Sequence, residues 1–175
     1  METLENLSKR DRFEFFGAAL ARGRVGCAQK VAEVEARRAT VGERIITFIA
    51  GEGIETVSRR ACNGDWVVRS CSRETGYEEQ LVDPETFETR YIPAGARSDD
   101  DGFSRFNARW CPVRFCVVGK EEGDFAMLAP WGEMQRFGPG DAVVQLLRSP
   151  SDIYRVHRLA FAQSYRILAS PIMGQ

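Results

Sequence analysis

The chain has 175 residues, of which 43% are hydrophobic and 28% charged. A chain of this size buries enough surface to fold without a disulfide or a metal, as one domain or as two small lobes. Its net charge of −1 gives no long-range attraction to nucleic acid or to an acidic membrane surface, so neither is predicted as a partner. The opening residues METLENLSKRDRFEFF lack the apolar core of a signal peptide, which predicts a cytoplasmic protein.

The first predicted element is a helix over residues 3–22. Phe13, Phe16 and Leu20 recur there at helical spacing, and the glycine-containing stretch ARGRVG follows them. Residues 1–27 are therefore expected to form an N-terminal helical segment.

Short β-branched stretches separated by glycine turns follow between residues 28 and 83. They predict strands over KVAEV, RIITFIA, IETVSRR, DWVVRS and YEEQLVD. Asp83 followed by Pro84 is typical of a helix start, with aspartate as the N-cap and proline in the first turn. Together with the short helix PETFETRY, these strands define a first unit over residues 28–93.

Residues 94–109 carry no apolar periodicity and are predicted to be a linker. The linker contains Asp99, Asp100 and Asp101, which lack the alternating spacing and the later glutamate of a calcium loop. The five cysteines include no CxxC pair. No metal or cofactor is predicted, and the cysteines are expected to be free thiols.

The strand pattern returns after residue 110. It predicts strands over PVRFCVV, DFAMLAP, EMQRF, DAVVQLL and IYRVH, then a short helix RLAFAQSY and the stretch RILA. Residues 110–175 are expected to form a second unit with a C-terminal tail.

The two units read as copies of each other over residues 28–93 and 110–168. GDWVV matches GDAVV, TFIAGEG matches AMLAPWG, and Val31 is aligned with Val113. The spacing between matched positions changes only where a loop is predicted, and insertions are tolerated in loops rather than in paired strands. The sequence thus predicts an α+β fold, mainly antiparallel β, made of two tandem β-β-β-β-α repeats after an N-terminal helix.

The matched motifs have a structural interpretation. Each glycine of the GD pair should supply a turn conformation, and each aspartate should accept hydrogen bonds from the turn backbone. A phenylalanine and a tyrosine four residues apart should pin each short helix to its sheet. The positions concerned are Gly64, Asp65, Phe87 and Tyr91 in the first unit and Gly140, Asp141, Phe161 and Tyr165 in the second.

The string NGDWVVRS…GYEEQLVDPETFETRYIP resembles the PGDYG-like module of phage and bacterial proteins. The second unit departs from that pattern because Ala142 stands where the module has an aromatic residue. This family has no established activity, so the resemblance implies a fold but no catalytic residue.

The sequence contains no nucleophile elbow, phosphate loop or HExxH motif, and it predicts no catalytic residue. The single histidine, His157, occupies the position that matches Asp83, which favours a helix-capping or surface role over a catalytic one.

The favoured hypothesis is a small binding or regulatory module that holds a small molecule or a protein at the seam between the repeats. The tentative ligand-binding residues are Trp66, Trp131, Arg114 and Arg136, because an exposed indole beside a guanidinium can stack on a ligand. The alternative role of the tryptophans is structural: closing the end of a small barrel or the seam between the repeats. Whether the protein is an enzyme stays open. The alternatives are a small enzyme for a nucleotide-like substrate and a homo-oligomeric interaction subunit that associates through a sheet edge.

Overall fold

A computed structural model describes residues 4–95 and 101–171 of the chain. They form mainly antiparallel sheets with three α-helices, which confirms the α+β class. The first eight strands are β1 (Ser8–Arg10), β2 (Gly26–Lys30), β3 (Val34–Arg38), β4 (Ile46–Ile49), β5 (Gly53–Val57), β6 (Trp66–Ser70), β7 (Glu79–Val82) and β8 (Tyr91–Pro93). The remaining strands are β9 (Ser104–Ala108), β10 (Val113–Val117), β11 (Phe125–Leu128), β12 (Met134–Phe137), β13 (Ala142–Leu146), β14 (Ile153–Val156) and β15 (Tyr165–Ala169). The helices are α1 (Arg12–Ala21), α2 (Pro84–Arg90) and α3 (Arg158–Ser164).

The chain divides into two compact units. Unit 1 combines the residues up to Gln29 with those from Cys111 onward, so it contains most of the second unit predicted from the sequence. Unit 2 is Lys30–Trp110 and contains most of the first predicted unit. Unit 1 contains a five-stranded sheet in the order β14-β13-β10-β2-β15 and a three-stranded sheet in the order β1-β11-β12. Unit 2 contains a five-stranded sheet in the order β7-β6-β3-β9-β8 and the two-stranded hairpin β4-β5.

The two five-stranded sheets have corresponding strand registers around their central strands, β3 and β10. Val34 in β3 lies opposite Ser70 of β6 and Phe106 of β9. Val113 in β10 lies opposite Leu146 of β13 and Ala28 of β2. Val34 rather than Val31 therefore takes the place that matches Val113, which corrects the alignment made from the sequence. Burial explains the difference, since Val34 is buried whereas Val31 is exposed.

The predicted N-terminal helix is shorter than expected. Residues 8–10 form β1, which pairs in parallel with β11, and the helix begins only at Arg12. Asp11 is the N-cap, because its carboxylate accepts hydrogen bonds from the amides of Phe13 and Glu14. Pairing with a strand far along the chain thus replaces the first two turns of the predicted helix.

The segment predicted as a linker contains strand β9, which lies between β3 and β8 in the sheet of unit 2. Asp99 and Asp100 lie outside the described residues. Asp101 accepts a hydrogen bond from the Phe103 amide and forms an ion pair with Arg69. This short strand is not apparent from local periodicity because its position is determined by its neighbours in the sheet.

The GD turns form as predicted. Gly64 and Gly140 adopt φ values of 91° and 90°, in the left-handed region that glycine tolerates best. The carboxylate of Asp65 accepts a hydrogen bond from the Cys62 amide at 2.7 Å, and that of Asp141 accepts one from the Gly138 amide at 2.9 Å.

The short helices are anchored by their phenylalanines, as predicted. Phe87 is buried against β3 and β6, and Phe161 is buried against β10 and β13. Tyr91 and Tyr165 lie just beyond the helices, at the first positions of β8 and β15, rather than on the helix face. The carboxylate of Asp83 and the Nδ1 atom of His157 accept amide hydrogen bonds at the two helix starts, which confirms the predicted capping role of the histidine.

Candidate binding surface

The hairpin β4-β5 presents the most unusual surface of unit 2. Its strands pair antiparallel, with Ile46 opposite Val57 and Phe48 opposite Ile54. Gly51 in the connecting turn and Gly53 at the start of β5 both have positive φ. β-Branched and aromatic residues flanking a glycine turn favour this hairpin locally.

The outward face of the hairpin is apolar. Ile46, Phe48, Ile54 and Val57 are exposed by 53%, 55%, 54% and 43% of their surface. Two cross-strand pairs thus form one contiguous apolar face, which we call the hairpin face. Contiguous apolar patches on a soluble protein often mark an interaction site, whereas single exposed apolar residues are common.

The inward side of the same hairpin carries polar residues. Thr47, Glu55 and Thr56 are buried there beside Ile49. The Thr47 hydroxyl donates to the carbonyl oxygen of Glu79 at 2.7 Å, so burial of this group is compensated. The strand register shifts between Thr47 and Phe48, so that Glu55 has no partner position on β4. This bulge places Glu55 on the buried side. The hairpin therefore exposes its apolar side chains to solvent and buries its polar ones, the reverse of the usual arrangement.

The hairpin β11-β12 of unit 1 places its cross-strand pairs in the opposite environment. Phe125 pairs with Phe137, and Met127 pairs with Gln135. All four residues are buried, with at most 2% of their surface exposed. In the alignment of TFIAGEG with AMLAPWG, Phe48 is matched with Met127.

The N-terminal segment covers this second hairpin. Phe15, Phe16 and Ala19 of α1 belong to the same buried cluster as Phe125 and Met127. The rings of Phe15 and Phe125 lie 5.1 Å apart, and β1 extends the hairpin at β11. Within the described part of unit 2, β4 and β5 form a sheet of two strands only.

The four residues predicted as a ligand site are divided between the units. Trp66 is in unit 2, where its ring stacks on Phe87 at 4.0 Å and meets Phe106 edge-on. The Arg38 guanidinium lies 4.0 Å from the Trp66 ring. Trp66 is thus part of a packed aromatic cluster.

The other three predicted residues are in unit 1. Trp131 is exposed by 44%, and its indole N–H donates to Glu133 at 2.9 Å. Arg114 is exposed on β10, and Arg136 forms an ion pair with Asp124. Within the described residues, neither the Arg114 nor the Arg136 guanidinium stacks on the Trp131 ring.

An open pocket of about 400 Å³ lies beside α1 and contains both basic and acidic side chains. Its charged groups largely satisfy one another. Arg10 donates to the carbonyl oxygen of Glu122, Arg24 pairs with the Glu122 carboxylate at 3.0 Å, and Asp11 caps α1. The pocket therefore has a structural account without a ligand.

The two GD aspartates are ion-paired. Asp141 meets Arg155 at 2.7 Å with both side chains almost fully buried, and it also accepts from the Arg158 amide. Asp65 meets Arg59 at 2.6 Å, but the arginine side chain is 42% exposed. Burial alone would raise the pKa of Asp65, yet hydrogen bonds from Arg59 and the Cys62 amide outweigh it and lower that pKa. Each pair holds the turn of its own unit.

Within residues 4–95 and 101–171, no three histidine, cysteine, aspartate or glutamate side chains gather as a metal site would require. None of the helices in these ranges combines the length and apolarity needed to cross a membrane.

The hairpin face was not singled out from the sequence, although both of its strands were predicted. The available signal was the polar set Thr47, Glu55 and Thr56 interleaved with large apolar residues. The sequence does not say which set faces outward, because that depends on contacts with residues distant in the chain, such as the bond from Thr47 to Glu79.

Comparison with known proteins gives no match: no family model, no curated protein and no solved structure is similar to this chain.

Proposed function

We propose that this protein is a non-enzymatic binding module whose docking surface is the hairpin face of Ile46, Phe48, Ile54 and Val57. The observation that carries the proposal is the exposure of two complete apolar cross-strand pairs on one side of a hairpin. A face of this kind gains free energy when a partner removes it from water, at about 25 cal/mol per Å².

Unit 1 supplies an internal precedent for such docking. There Phe125, Met127 and Phe137 belong to one buried cluster with residues of α1, and they are almost inaccessible. A hairpin of this kind can therefore pack against another element. In unit 2 that element would come from a partner protein.

We also propose that the two units are tandem copies of one ancestral module of the PGDYG-like kind. The matched registers around Val34 and Val113 support this, as do the GD turns and the capped short helices. On this proposal β2 and β9, which precede β3 and β10 in the chain, have been exchanged between copies. β9 lies beside β3 in unit 2, and β2 lies beside β10 in unit 1.

The binding module is preferred over an enzyme for a nucleotide-like substrate. The ionic groups that would serve such an enzyme hold turns and helix starts, as with Asp65, Asp141 and His157. The hairpin face is preferred to Trp66, Trp131, Arg114 and Arg136 because its exposed apolar residues lie together within one unit.

A photo-crosslinking amino acid placed at position 48 tests the proposed function in cells of the native host. The matched control is position 128, because Leu128 is also an exposed apolar residue on a hairpin strand, at 48%. We expect a protein adduct at position 48 and none at position 128. Absence of any adduct at position 48, or equal adducts at both, would refute docking at the hairpin face.

A further inference from the structure

We infer that the partner on the hairpin face is a second copy of this chain, packed face to face and antiparallel about a two-fold axis. This inference rests on the proposed function, since it identifies the occupant of the same surface. Two-fold dimers use the same patch on both copies, so the patch must be complementary to itself.

The shape of the hairpin face suits such self-packing. Exposure alternates strictly from Arg44 to Ala50, so every second side chain points outward. The outward residues of the two strands form two opposed apolar pairs with no charge between them. Two apolar sheet faces can stack about 10 Å apart with their side chains interdigitated.

The charges at the two ends of the face give the direction of packing. Arg44 is exposed at the open end of the hairpin, two residues before Ile46. Glu52 lies at the turn end, two residues before Ile54. In an antiparallel pair the acidic turn end of each copy lies over the basic open end of the other, whereas a parallel pair would place like charges together.

The area predicts a weak dimer. The exposed parts of the four apolar side chains amount to roughly 400 Å² per copy, as expected for a functional surface patch. With the charged rim, two copies would bury about 1,000 Å² in total, which is the lower end for a specific interface. We therefore expect a dissociation constant on the order of 10–100 μM.

Sedimentation velocity of the full-length protein over a concentration series tests this inference. We expect a reversible monomer–dimer equilibrium in the wild type. Phe48→Asp should weaken it at least about thirtyfold, as for a central interface residue. Leu128→Asp is the matched control and should leave the dissociation constant unchanged. Far-ultraviolet circular dichroism and a melt establish that each variant is folded.

A charge swap tests the antiparallel arrangement. Arg44→Glu and Glu52→Arg should each weaken the dimer several-fold, because each places like charges in contact. The double variant should restore the wild-type dissociation constant within about threefold, since it recreates the opposite pairs. Additive weakening in the double variant would overturn the antiparallel arrangement.

Failure of this inference is distinguishable from failure of the proposed function. A wild type that stays monomeric up to about 1 mM, well above the expected dissociation constant, overturns the second copy as occupant. If position 48 then still crosslinks to a different protein in the host, the hairpin face remains a docking surface. A crosslink with the mass of two copies supports both.

Discussion

Two hairpins of this chain meet opposite surroundings. β11-β12 has Phe125, Met127 and Phe137 buried in one cluster with residues of α1, and β1 pairs with β11. β4-β5 has its pairs in the open, with polar residues on the buried side. The difference teaches that the large apolar side chains of a hairpin can be buried or exposed, depending on which elements of the same unit pack against it.

The largest expected effect separates the two hairpins directly. Phe125→Ala should lower the free energy of unfolding by about 3–5 kcal/mol, because it empties a buried aromatic site. Phe48→Ala should change it by no more than about 0.5 kcal/mol in dilute solution, as for an exposed residue. Urea denaturation of the two variants measures both values, and equal losses would contradict the comparison.

The GD turns extend the comparison to the buried ion pairs. Asp141→Asn should cost about 3–5 kcal/mol, because it leaves Arg155 charged in a buried site. Asp65→Asn should cost less, about 1–3 kcal/mol, because Arg59 can reach water. The same denaturation experiment applies, and a larger cost at Asp65 would show that the exposure of the arginine does not govern the loss.

Acid should weaken unit 2 through its paired carboxylates. A hydrogen bond from Arg37 lowers the pKa of Glu43, and the pKa of Asp65 is also lowered. A lowered folded-state pKa gives stability that is complete above the unfolded-state value, near 4. It is lost as the pH falls through the folded-state pKa. Urea midpoints measured from pH 7 to pH 3 should therefore fall more steeply in the wild type than in a Glu43→Gln, Asp65→Asn variant. Identical slopes would mean that other carboxyl groups dominate.

The smallest expected effect is kinetic and concerns thiols. Cys116 lies in the cluster beneath α1, where burial raises its pKa to about 12. Cys62 is exposed. A maleimide at neutral pH should label Cys62 rapidly and Cys116 slowly, because little of the buried thiol is accessible or ionised. Rapid labelling of Cys116 in the native protein would show that α1 does not protect the cluster.

Local signals in the sequence predicted the elements that depend on local chemistry. The GD turns, the Asp83 and His157 caps and the buried Phe87 and Phe161 were all found, since each depends on residues close in the chain. Strands β1, β2 and β9 were missed or misplaced because they are short and their neighbours are distant in sequence. The candidate site was missed for a related reason. Alternation predicts that β4 has two faces, but which face is buried depends on strands and loops that are distant in the sequence, such as Glu79 of β7 bonded to Thr47.

Hydroxyl-radical footprinting of the dilute full-length protein tests the central claim most directly. Met127 and Met134 lie on the paired strands β11 and β12, and only Met127 is fully buried, so the two compare one chemistry in two environments. Met134, together with Phe48 and Ile54 of the hairpin face, should be oxidised readily, while Met127, Phe125 and Phe137 should be protected. Oxidation of Met127 as fast as Met134, or protection of Phe48 in the dilute monomer, would contradict the account of one covered and one open hairpin.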